Sequence, residues 1–516
     1  MKIKFIIVLI TSLFALTSVN QASCKIAKQG ESHMSKTHNI QTTNLLDTYI
    51  QNSKSRYESM LAQFVNIPSV SMENTSTINT NDCSLAFLSG IEDIDENAKT
   101  LNPMLKMAKI ASQALTNAGF KAKVYPTKLF PVVTGELIQD QSYPTVLIYN
   151  HLDVQPASAS EWASEPFKMQ IKDDKYLGRG TTDDKGPALA VLFAAKYVKE
   201  HKIPINIKVL WELEEEIGSP SFEAFLQENK ANFKTDSIVV SDTIWVSRNS
   251  PAVAYGLRGL QGATIKLTTG VKDIHSGTTG GLARNPIGEI CEVIFDCYEP
   301  KTGHVKIPHF YDDVKEPSET EIEHFVNSGF TIDGFKQANE VNSIRTNNTK
   351  EAVLRLWAKP TFEIHGIKGG YIGQGIKTIV PHSAEAKISM RLVPNQDPHK
   401  IFNDLKAFIH ERCPNAIVES EGTLMPYLGD LNSPYMKAAA SAIENTFKKE
   451  AVFTREGGSI GAAVSMNNIL NAPIVFLGLS LPEHGYHAIN ENFDWQQASG
   501  GIKLFVNYFE LLSADK

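Results

Sequence analysis

Four short apolar runs constrain this chain more than any other feature: Thr145–Tyr149, Ile205–Leu213, Ser237–Val240 and Pro473–Leu477. Each has the length of a strand and reads as one buried inside a sheet. Helical periodicity fills the intervals, as in Pro187–Glu200 and Phe222–Asn229. Strands alternating with helices predict an α/β fold built on a mostly parallel sheet with helices on both faces. At 516 residues the chain exceeds what one hydrophobic core serves, roughly 250–300 residues, so more than one core is expected.

The middle of the chain breaks the alternation. Ala263–Thr269 (strand), Pro286–Cys297 (helix), Thr361–His365 (strand), Ala384–Leu392 (strand), Pro398–Glu411 (helix) and Ala416–Glu419 (strand) follow in order. This β-α-β-β-α-β succession is the split, ferredoxin-like α+β unit, and the polar stretch 299–350 is a long excursion inside it. The expected organisation is one α/β domain made of residues 45–257 and 427–516, interrupted by a smaller inserted domain, 258–426. A helical pattern over Leu45–Ile67 stops at Pro68, and another over Pro103–Ala118 stops at Gly119. Residues 72–100, rich in Asn, Thr, Ser and Asp, read as a surface insertion, and there is no internal repeat or low-complexity tract.

Residues 1–23 follow the pattern of a secretory leader: Lys2 and Lys4, the apolar run Phe5–Leu16, then the small and polar stretch Thr17–Ser23. That run is too short to span a bilayer as a mature helix. The expectation is an exported protein, periplasmic or secreted, with residues 24–44 as a flexible lead-in. Cys24 follows Ala22 and Ser23 as a lipid-anchored cysteine does, but Gln21 stands where such a leader carries an aliphatic residue, so ordinary cleavage is expected. No later run is long enough to cross a membrane. The five cysteines are odd in number, with neither metal-type spacing nor the pattern of a disulfide scaffold. The formal charge of -7 is spread along the chain, and no basic run argues for a nucleic-acid partner.

Side chains able to hold a metal fall at the ends of the predicted strands. His151 and Asp153 follow the first run, Glu214, Glu215 and Glu216 the second, Asp242 the third, and His487 lies in the loop after the fourth. In open parallel sheets ligands bind beyond the carboxyl ends of the strands, so these residues are directed to one edge of one sheet. The glycine-rich loop GRGTTDDKG, Gly178–Gly186, adds Asp183 or Asp184. Imidazole and carboxylate without thiolate suit zinc or manganese. Five ligands are too many for one catalytic zinc, but with one shared carboxylate they suit two ions about 3.5–4 Å apart. Taken singly, each element has a plainer reading: a loop, a solvated helix start, a turn.

The motifs YNHLDVQP, GRGTTDDKGP, LEEEIGS, VVSDT, HSGTTGG, KTIVP, RLVPNQ, REGGSI and HAINEN occur in this order. Together, over roughly residues 45–516, they resemble the dinuclear metallopeptidase family of carnosine dipeptidase, cytosolic nonspecific dipeptidase, glutamate carboxypeptidase and aminoacylase. RGTTDDKGP, RLVP and REGGSI are most similar to the carnosine-type dipeptidase branch.

The resemblance implies an exopeptidase with two divalent ions, zinc or else manganese, and a catalytic domain carrying a lid and dimerisation domain. His151 and Asp242 would hold one ion, Glu216 and His487 the other, and Asp183 would bridge them. Asp153 would orient the His151 ring, and Glu215 would be the general base that moves a proton from water to the leaving amine. His275 would reach the partner subunit's site in a homodimer and steady the oxyanion. Thr378, Arg391, Gly458 and Ser459 would grip the substrate, Arg391 by its terminal carboxylate. The substrate would be a dipeptide or short peptide, with an N-acyl amino acid as the alternative. Plainer readings remain: His275 as a turn cap, Arg391 as a surface arginine. Asp184, Glu214 and His484 are near neighbours that compete with the assigned residues. Gly461 departs from the branch, which has proline after Ser-Ile, so specificity is the less determined part.

Overall fold

The computed structural model describes residues 45–74 and 102–514. The expected leader, its lead-in, Cys24 and nearly all of the 72–100 insertion lie outside the described residues. The chain divides into two compact units, 1–55 and 56–516. In the first, residues 45–55 are helical. Everything that follows belongs to the second.

A nine-stranded sheet organises that unit. Its centre runs Asn206–Glu212, Thr145–His151, Ser237–Val240, Ile474–Phe476, each strand parallel to the next. These are the four apolar runs, and they are buried almost throughout because helices cover both faces. Helices Phe222–Asn229 and Gly461–Leu470 pack on one face over Leu147, Tyr149, Ile238 and Val240. Lys185–His201 packs against Thr145–His151 and against the C-terminal helix Trp495–Ala514. The flanks are antiparallel: Val132–Leu137 and Lys121–Tyr125 on one side, Ala252–Leu257 against Ile474–Phe476 on the other.

A second sheet has the order Glu363–Gly369, Ser383–Leu392, Gly259–Thr268, Ile417–Leu424, antiparallel throughout. Helices Pro286–Cys297 and Pro398–Arg412 cover one face, burying Ala386, Ile388, Met390 and Leu392. Strand alternation puts Glu385, Lys387, Ser389 and Arg391 on the other face. This is the ferredoxin-like arrangement read from the sequence. A single residue, Arg258, separates the last residue of Ala252–Leu257 in the large sheet from the first of Gly259–Thr268 in the small one.

The excursion 299–350 differs from its reading as polar chain. It holds helices Glu319–Val326 and Ile332–Ala338 and leads into Thr349–Trp357. Each starts at a side-chain cap, Ser318, Thr331 and Asn348 respectively. Two turns are too few for periodicity to emerge, and such helices persist by docking: the Phe325 and Trp357 rings meet edge to face at 5.4 Å. Cys291, Cys297 and Cys413 are free. Among the described residues no helix is long and apolar enough to cross a membrane.

Candidate metal centre

Because the four central strands are parallel neighbours, their carboxyl ends share one edge, and the metal-capable side chains converge there. Two groups form, His151 with Asp184 and Asp242, and Asp183 with Glu216 and His487. Within each, one ligand atom per residue lies within 4.8 Å of the others. Asp183 joins the groups: its Oδ1 is 2.9 Å from His151 Nε2 and its Oδ2 is 3.1 Å from His487 Nε2. His151 Nε2 is also 3.8 Å from Asp242 Oδ2, and His487 Nε2 is 3.3 Å from Glu216 Oε2. Asp184 was not among the residues expected at the first group; only the fold shows that both adjacent aspartates face the cluster.

A layer of buried groups holds these ligands. Asp153 is fully buried, with Oδ1 3.4 Å from His151 Nδ1. It also accepts hydrogen bonds from the amides of Glu215 (3.2 Å) and Glu216 (3.0 Å), so one carboxylate fixes two strand ends. Three further supports have no assigned role in the sequence reading. Glu491 accepts from Arg179 Nη1 (2.8 Å) and from the amides of Gly180, Thr182 and Asp183, clamping the glycine-rich loop. The Tyr486 hydroxyl donates to Asp242 Oδ1 at 2.8 Å, and Gln155 Nε2 to Glu216 Oε2 at 2.6 Å. Glu491 lies within the HAINEN stretch and Tyr486 immediately before it, but no spacing rule turns a flanking residue into a support.

Of the three competing neighbours, Glu214 and His484 are engaged elsewhere. Glu214 accepts from Phe130 N, Thr127 Oγ1 and Ser221 N. His484 accepts from the Leu481 amide at Nδ1, and its Nε2 is 3.4 Å from Asp494. The Glu215 carboxylate, in contrast, has no hydrogen bond or ion pair among the described residues.

The electrostatics fit cations. Burial pushes the carboxyls of Glu215, Glu216 and Asp184 above their usual range and Asp242 up to about 6; neighbouring carboxylates add to this and His151 opposes it. Burial alone would lower His487, but Asp183 and Glu216 outweigh it and raise the ring to about 11. Asp183 Oδ2 and Asp184 Oδ1 are buried without a hydrogen-bond partner. Imidazoles and carboxylates, with oxygens left over, are the donors a pair of divalent ions takes.

On the substrate side, Arg391 Nη1 donates to Ser459 Oγ at 2.9 Å, and Ser459 Oγ donates to the Arg258 carbonyl at 2.5 Å. Arg391 is also within electrostatic reach of Glu215. The Gly458 carbonyl accepts from the Arg258 amide. His275 and Thr378 are not brought to the cluster. Both are exposed: His275 ends Ile274–His275, which pairs with Ile379–Val380, and Thr378 precedes that second strand; His275 Nδ1 caps its own turn at the Gly277 amide.

A parallel sheet with lid-like insertion and a two-ion acidic cluster at its carboxyl edge defines a metal-dependent hydrolase. Residues 147–511 match Peptidase family M20/M25/M40, and the chain belongs to that family, whose members are metallopeptidases. It is 31% identical to the Beta-Ala-His dipeptidase of Homo sapiens over 73% of this chain and 77% of that one. It is also 31% identical to the Cys-Gly metallodipeptidase of Schizosaccharomyces pombe, over 74% and 83%. Among solved structures, an M20 family metallo-carboxypeptidase from Sulfolobus solfataricus superposes with a TM-score of 0.78 at 30% identity, covering 89% of this chain and 99% of that one.

These relatives correct the expectation of export. The yeast Cys-Gly metallodipeptidases are mainly cytosolic enzymes, so a periplasmic or secreted placement is withdrawn. The expectation rested on the composition of residues 1–23, a basic start, an apolar run and small residues, and these residues lie outside the described ones.

Proposed function

We propose that this chain is an exopeptidase for dipeptides or short peptides with a free terminal carboxylate, and that its two divalent ions are zinc, with manganese as the alternative. The observation that carries the reading is Asp183, whose two oxygens each reach a different histidine. His151, Asp242 and Asp184 would hold one ion and Glu216 and His487 the other, with Asp183 shared. Bound divalent ions supply Lewis acidity and lower the pKa of water toward neutrality. Glu215 takes the proton of the attacking water and carries it to the leaving nitrogen; its unengaged carboxylate supports this role. Asp153 orients His151 and the Glu215–Glu216 turn. Arg391, steadied by Ser459, pairs with the substrate carboxylate, with Gly458 next to Ser459. The dipeptidase names of the relatives favour a peptide over an N-acyl amino acid.

Two copies complete the site in this reading. His275 is exposed, and Val271, Leu282, Ile372 and Ile376 of the inserted region (residues 258–426) are more than nine-tenths exposed, an apolar surface that a homodimer would cover. The His275 of one copy would then steady the oxyanion in the other.

The test is Glu215→Gln, with metal content and dipeptide hydrolysis measured together. Hydrolysis should fall about a hundredfold to ten-thousandfold with metal retained. Full activity with metal retained removes Glu215 as the base.

A further inference from the structure

Arg391 also lines a cavity of about 710 Å³ whose wall includes none of the metal-capable residues. Its wall carries five cationic side chains, Arg258, Arg345, Arg355, Lys359 and Arg391. Two acids face them, Glu316 and Glu363. Part of this charge is already matched: Glu351 accepts from Arg355 Nε and Nη2 at 2.9 and 2.7 Å, and Glu363 lies 3.5 Å from Arg345 Nη1. Positive charge still exceeds negative. The Lys359 ammonium has no hydrogen bond or ion pair among the described residues, and Arg258 uses only its Nε, donating to the Gly457 carbonyl.

Arg258 and Arg391 also stand close enough to repel one another. Burial, then Arg391, lowers Arg258 to about 10, and the nearby Glu456 is occupied by the amides of Gly457 and Ile244. A cavity whose cationic side chains outnumber its acids favours a ligand that brings negative charge. Its size is that of a small-molecule pocket. One wall is the guanidinium assigned above to the substrate's terminal carboxylate, so the cavity lies on the side of that terminal residue.

We infer that this cavity is a second anion subsite that receives the side-chain carboxylate of an acidic C-terminal residue, so that the enzyme prefers dipeptides ending in Glu or Asp. The α-carboxylate stays on Arg391 while the side chain extends between Arg258 and Lys359. This rests on the exopeptidase reading for its substrate, but the pocket can be tested apart from hydrolysis.

The first measurement is binding of free L-glutamate against L-glutamine to the full-length zinc-loaded protein by calorimetry, with inorganic phosphate as a third ligand. Glutamate should bind at least tenfold tighter than glutamine, and the double variant Arg258→Gln, Lys359→Met should erase that ratio. Equal binding of the two amino acids overturns the subsite, as does a ratio that survives the double variant. Phosphate binding as tightly as glutamate, without discrimination between the amino acids, also overturns it in favour of a free-anion site. The second measurement is kcat/KM for Ala-Glu against Ala-Gln, where the preference should appear mainly in KM. If glutamate discrimination holds but neither dipeptide is cleaved, the subsite stands and the dipeptidase reading falls.

Discussion

Glu214 commits both carboxylate oxygens to backbone amides and to the Thr127 hydroxyl, whereas Glu215, one residue on, is left unengaged beside the ligand cluster. Asp153 makes that difference possible by capping the turn in which both lie. Asp153→Asn keeps the shape but loses the charge that orients His151; metal affinity should fall about tenfold to a hundredfold in a chelator competition. Glu491 acts on the other loop. Glu491→Gln removes the charge opposite the buried Arg179 and part of the clamp on Asp183. Denaturant unfolding should show a loss of about 3–5 kcal/mol, with weakened metal binding alongside. A variant as stable as the parent would mean that Arg179 alone carries the loop. At this scale His151, Asp242 and His487 were candidates from residue type and strand position, and the glycine-rich loop offered Asp183 or Asp184. Tyr486, Gln155 and Glu491 were not legible, because a hydrogen-bond partner distant in sequence leaves no local pattern.

The helix Glu319–Val326, absent from the sequence reading, ties the polar excursion to the large sheet. Arg455, on the strand Val452–Glu456, is almost fully buried, and its Nη2 donates to Glu321 Oε1 at 2.5 Å. The Tyr255 hydroxyl donates to the same oxygen at 2.7 Å and the Ser318 amide to the other. Burial alone would raise the Glu321 carboxyl, but these donors outweigh it and hold it at about 2. A carboxyl lowered by folding adds stability that is complete above its ordinary value of about 4.5 and is lost as pH falls toward about 2. Glu321→Gln should therefore cost about 3–5 kcal/mol at pH 7, because it leaves a buried guanidinium unpaired. The gap between parent and variant should narrow in melts taken from pH 5 down to pH 3. A pH-independent gap would assign the loss to packing. The strands of the small sheet were visible because strict alternation along Ser383–Leu392 separates its two faces. The two-turn helices were hidden because docking, and not propensity, holds them.

For the whole molecule, the outstanding feature is the exposed apolar surface of the inserted region beside His275. Val271→Glu with Ile376→Glu places charge where a second copy would pack. Light scattering should then report a monomer, and kcat should fall about a hundredfold, the effect of losing one oxyanion donor. A fully active monomer would remove His275 from the site. In one copy His275 only caps its turn, as its simpler reading had it.

The sequence alone was enough for the alternation of strands and helices, the interrupting ferredoxin-like unit and the residue types gathered at strand ends, because burial periodicity and turn chemistry are local. Local rules also produced the withdrawn expectation of export, which rested on the composition of residues 1–23. Tertiary structure alone decided that both adjacent aspartates face the cluster, which distant side chains brace the ligands, and that a surplus of positive charge gathers beside Arg391. Those outcomes depend on contacts between residues tens to hundreds of positions apart, and only the folded sheet brings such residues together.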